Sequence, residues 1–141
     1  MPESKQQLKG LLKTPENTEI FEITSSVIWV DEYGIVCAVP KNRRRKIEHF
    51  EEMFAFFAKL MEGKSKLCLL IEADNEIPLR NEVRDYIATE LPKYIKAHAV
   101  VSVVPLERTL STTFIRLNEV GIPINLFSNE KEAKEWLKTF L

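Results

Sequence analysis

Three kinds of side chain in this 141-residue sequence stand at spacings that invite chemistry: alternating carboxylates, a run of cations, and isolated thiols and imidazoles. Glu72, Asp74 and Glu76 alternate just past the apolar run Leu67-Cys68-Leu69-Leu70-Ile71. Three oxygen donors suit Mg²⁺, and the carboxyl end of a central strand is where α/β sheets bind ligands. No glycine-rich phosphate loop accompanies them, and alternation sends neighbouring side chains in opposite directions, so the segment reads first as a solvated acidic loop. The strongest charge run is Lys41-Asn42-Arg43-Arg44-Arg45-Lys46. It precedes a predicted helix, whose positive end disfavours cations. Helix N–H groups together with Arg43, Arg44, Arg45 and Lys46 would hold a phosphate, an acidic partner or a lipid headgroup. The plainer reading is a solvated surface offset by Glu48, Glu51 and Glu52. No aromatic residues interleave with the arginines, so nucleic acid is not expected.

The remaining reactive types lack partners in the sequence. Cys37 and Cys68 each lie inside an apolar run, with no neighbouring cation or helix start to lower a thiol pKa, and read as buried, reduced thiols. His49 lies on an apolar helix face and His98 in a buried strand. Neither has a Cys or carboxylate at metal spacing, so both read as structural histidines. Ser102, Ser111, Thr112 and Thr113 lack the Gly-x-Ser-x-Gly elbow of a nucleophile. No acid, base and nucleophile set can be assembled; the expectation is a protein that is not an enzyme and uses no metal or cofactor. A second candidate edge, for a ligand or partner, gathers Glu72, Asp74, Ser102 and Arg108 at predicted strand ends.

Positioning these groups requires a sheet and several helices. With 45% hydrophobic residues and a net charge of −1, the chain suits one globular domain and not a bulk polyanion binder. A polar start without an apolar signal core and apolar runs far shorter than a membrane span predict a cytoplasmic protein. Residues 1–17 read as a flexible arm with Leu8, Leu11 and Leu12 as its apolar anchors, and residues 18–141 as one domain. A strand is expected over 18–25. A hairpin of Ser26–Val30 and Ile35–Val39 turns at Asp31-Glu32-Tyr33-Gly34, where Gly34 supplies a positive φ. His49, Phe50, Met53, Phe54, Phe57, Leu60 and Met61 recur at helical steps within 42–62. Two-sided apolar strands follow at 66–73 and 97–104, separated by a helix opening at Pro78 or Asn81 and ended by Pro92. A helix over 106–119, a strand at Ile124–Phe127 and a final helix capped by Ser128 or Asn129 complete the chain. Alternation of strand and helix forces parallel crossovers. The fold class is α/β, a mixed sheet of about five or six strands with about four helices packed mainly on one face.

That element order resembles the SpoIIAA-like (STAS) domains. The C-terminal third makes the likeness more specific: Ala97-His98-Ala99-Val100-Val101, Pro105-Leu106-Glu107-Arg108-Thr109-Leu110, Phe114-Ile115-Arg116-Leu117-Asn118, Pro123-Ile124-Asn125-Leu126-Phe127 and Ala133-Lys134-Glu135-Trp136-Leu137 look like the bacterial STAS/Sec14-like proteins. Trp29 to Val36 matches their hairpin turn. The resemblance implies a regulator that works by binding, not catalysis. In the anti-sigma antagonists a phosphorylatable Ser follows a central strand. The corresponding segment here, Ile71 to Asn81, contains no Ser or Thr, so that switch is not carried over. The expectation is a non-catalytic binding or regulatory module with a protein partner or a homodimer, or alternatively a small anionic ligand or lipid headgroup. Helices confined to one face would leave the other open for such a partner.

Overall fold

The computed structural model describes residues 12–41, 46–72, 80–102 and 121–141. The hairpin at its start is built by one carboxylate and one glycine. Asp31 Oδ1 accepts the N–H groups of Tyr33 at 2.8 Å and Ile35 at 2.9 Å. Gly34 has φ 87°, a region that a residue without Cβ enters freely. This turn sets β2 (Ser26–Val30) antiparallel to β3 (Val36–Pro40), with Trp29 opposite Cys37. β1 (Phe21–Glu22) pairs antiparallel with β2 at the sheet edge. It is shorter than the predicted 18–25, because the Ile23 N–H turns back to the Ser26 carbonyl and ends the ladder.

From β3 onward the strands run parallel: β4 (Leu67–Glu72), β5 (Ile95–Val101) and β6 (Ile124–Phe127). The six strands lie side by side in chain order, so this is the mixed α/β sheet that the sequence predicts. Helix α1 (Ile47–Leu60) joins β3 to β4. Helix α2 (Asn81–Glu90), with the 3₁₀ turn Leu91–Lys93 that contains Pro92, joins β4 to β5. α3 (Glu130–Lys138) follows β6. These are three α-helices among the described residues; the expected helix at 106–119 lies outside them.

Both crossover helices step the same way along the sheet, and crossovers of one hand place them on one face. There Phe50, Met53, Phe54, Phe57 and Val83 pack on Ile28, Val36, Ala38, Leu69 and Ile95. α3 follows β6 and lies over the other face, where Ala133 and Leu137 pack with Trp29, Cys37, Leu70, Ala97, Ala99 and Val101. The open face expected for helices on one side is therefore covered. An irregularity in β5 serves both layers. Leu67 pairs with Ile95 but Cys68 with Ala97, so Lys96 is an extra residue. Ile95 consequently faces α1 and α2, whereas Ala97 faces α3.

Candidate functional site

Two of the predicted edge residues lie at the ends of neighbouring strands. Glu72 ends β4 and pairs with Val101, and Ser102 follows as the next residue. Ser102 is buried, and its N–H donates to the Phe127 carbonyl at 2.9 Å. Glu72 is half-buried, and its Oε1 accepts the Leu12 N–H at 3.2 Å. Asp74 and Arg108 lie outside the described residues, as do Arg43, Arg44 and Arg45. Lys46 is exposed just before α1, and its N–H donates to His49 Nδ1 at 3.0 Å. His49 thus serves the helix start, as a structural histidine would.

The two thiols and His98 are shaped by burial. Cys37 and Cys68 are buried free thiols. Burial pushes the Cys37 thiol up to about 12 and outweighs nearby Lys134; burial raises Cys68 as well. Burial lowers His98 to about 4, against the opposing effect of its contact with the Leu69 carbonyl at 3.2 Å.

A cluster that the sequence reading passed over lies elsewhere. Lys134 Nζ, on α3, sits 2.9 Å from Asp31 Oδ2 and 3.0 Å from Glu130 Oε2. The Asp31 side chain is 4% exposed and that of Lys134 18%. Burial alone would favour neutral lysine, but hydrogen bonds to Asp31 and Glu130 prevail, and the ammonium pKa is raised. The second oxygen of each carboxylate is also used. Asp31 Oδ1 holds the hairpin turn, and Glu130 Oε1 accepts the Lys13 N–H at 3.0 Å. Lys134 thereby ties α3 to the hairpin, and Glu130 ties α3 to the chain before β1. In the sequence Asp31 is a turn residue and Lys134 a surface lysine of a helix; no local signal joins positions about a hundred residues apart.

An open cleft of about 860 Å³ lies over this cluster. One wall is residues 13–19, the other Val30–Tyr33, and Glu130 and Lys134 complete it. Five carboxylates (Glu16, Glu19, Asp31, Glu32, Glu130) face two lysines (Lys13, Lys134) in that lining, so its charge is negative. Tyr33 at the rim is 45% exposed, with Lys138 Nζ over its ring at 3.7 Å. The cation–π contact fixes an amphipathic ring at the cleft mouth.

The sequence model of one family, "Domain of unknown function (DUF7793)", matches residues 28–141. The chain belongs to this family. No curated protein and no solved structure matches it. The DUF7793 match takes in Asp31, Glu130 and Lys134, whereas the cleft wall at 13–19 precedes it. Among the described residues, no group of three or more His, Cys, Asp or Glu side chains is placed to hold a metal ion. No helix among them is long and apolar enough to cross a membrane.

Proposed function

We propose that this DUF7793 chain is a non-catalytic binding module of SpoIIAA-like type that takes an extended, basic segment of a protein partner into the cleft between residues 13–19 and the Asp31 hairpin. The observation that carries this reading is the cleft itself: an open trough with an excess of carboxylates and an exposed tyrosine at its mouth. Extended peptides combine main-chain contacts with side-chain pockets, and charge complementarity sets register and speeds encounter. The raised Cys37 and Cys68 thiols and the lowered His98 fit a role in binding, not bond breaking. Two free thiols also fit a reducing, cytoplasmic setting. The strand order β1 to β6 fits the SpoIIAA-like likeness.

The test is an NMR titration of the full chain with a Lys/Arg-rich decapeptide, set against an Asp/Glu-rich one. The expected result is saturable shifts at 13–19, 30–33 and 130–134 with the basic peptide alone, weakened by added salt. Shifts confined to the neighbourhood of Lys46 with the acidic peptide would overturn the assignment and restore an anion site at the 41–46 run.

A further inference from the structure

The chain before β1 belongs, by sequence, to a flexible arm, yet Leu12 is 1% exposed. It sits in the core cluster of the α3 face with Ala97, Ala99, Ala133 and Leu137. The alanines of that cluster have short side chains, which leave space between a sheet and the helix packed on it. Two long-range hydrogen bonds flank this plug, from the Leu12 N–H to Glu72 and from the Lys13 N–H to Glu130. Beyond it the chain is held loosely. Residues 13, 15–17, 19 and 20 are exposed, and Asn17 takes φ 61° in a turn before β1 rejoins the sheet. Every residue from Lys13 to Glu19 lines the cleft.

We propose that residues 12–20 form a strap latched by Leu12, which opens and closes independently of the sheet and builds the cleft only when closed. Among the described residues, one buried side chain and two long-range hydrogen bonds secure a nine-residue segment whose ordering costs entropy at every position; such a segment is drawn from the low-stability end of a fold. Closure also engages both candidate sites at once. It covers Glu72 at the carboxyl end of the parallel strands and joins Glu130 to the Lys134–Asp31 cluster. That a ligand favours closure rests on the cleft reading above; the strap's independent opening does not.

Hydrogen exchange of the full chain, read by mass spectrometry, tests this. The 12–20 segment should exchange at least about a hundredfold faster than β4 and β5, as local opening does relative to global unfolding. Leu12→Ala should raise its exchange toward the unprotected rate while β3 to β5 remain strongly protected. Glu130→Ala, which spares the core, should raise it by a smaller factor. Strap protection equal to that of β4, or β3 to β5 losing protection together with the strap in both variants, overturns the proposal. Adding the basic decapeptide separates the two ideas: slowed strap exchange supports the coupling, whereas unchanged strap exchange with the predicted Leu12→Ala response leaves the latch standing and removes the cleft reading.

Discussion

The two faces of the sheet are covered by different materials. Toward α1 and α2 the filling is aromatic: the Phe54 ring lies 5.6–6.4 Å from those of Phe50, Phe57, Tyr86 and Tyr94, stacked on the last at 11°. Toward α3 the strands present Cys37, Cys68, Ala97 and Ala99 beside Trp29, Leu70 and Val101, and Leu12 joins this cluster from outside the sheet. Trp29 is fully buried there with its Nε1 lacking a hydrogen-bond partner among the described residues, which costs free energy. Large rings interlocked between crossover helices cannot leave without dismantling the β-α-β path. A leucine carried on a strap can. On the strap proposal, the two faces should therefore differ in how they respond to truncation of a buried side chain.

The largest test of this contrast is Phe57→Ala. Phe57 is fully buried between α1 and the sheet, and its truncation should cost about 3–5 kcal/mol in denaturant unfolding. Leu12→Ala should cost no more than about 2 kcal/mol, the low end for a buried leucine, because the strap can detach instead of preserving a cavity. Equal losses would show that both faces melt as one unit.

A second test uses acid. Ala97 and Ala99 face α3, so alternation points His98 toward the α1 and α2 side. Burial lowers its pKa to about 4 from the ordinary histidine value of 6.5. The unfolded chain takes up the proton first, so the full contribution is present above about pH 6.5 and is lost as pH falls toward 4. The gap corresponds to about 3 kcal/mol. Urea midpoints measured across that window should fall in the native sequence, and His98→Gln should flatten the slope. An unchanged slope would assign the acid sensitivity elsewhere.

What the sequence made legible was whatever depends on neighbours in the chain. The Asp31–Gly34 turn, the strand Ile124–Phe127 and the Asn129 cap lie where turn chemistry, β-branching and capping preferences put them. The placement of Glu72 and Ser102 at neighbouring strand ends was also accessible, since parallel strands joined by helices must align their carboxyl ends. Hidden from view were contacts that depend on which face a helix chooses. α3 could have joined the crossover helices, and then Lys134 would never meet Asp31, nor would Leu12 share a core cluster with Ala133 and Leu137. The extra residue Lys96 was equally invisible, because periodicity reads a strand as unbroken alternation.

The smallest expected effect probes the seam between the two faces' behaviours. Asn129 Oδ1 accepts the Glu132 N–H at 2.9 Å at the start of α3, whereas the N-cap of α1, Lys46, contributes no side-chain acceptor. Asn129→Ala should cost about 1 kcal/mol, visible as a small drop in the unfolding midpoint. The more telling readout is local. Glu130, the first residue of α3, holds the Lys13 N–H through Oε1 and Lys134 through Oε2. Fraying of that first turn should therefore speed exchange in residues 12–20 more than in α1 or α2. Asn129→Asp keeps an oxygen acceptor and adds a charge that suits a helix N-terminus, so it should restore both the midpoint and the strap's protection. Recovery of the midpoint alone would mean that the strap does not sense the start of α3, and that Leu12 by itself keeps it shut.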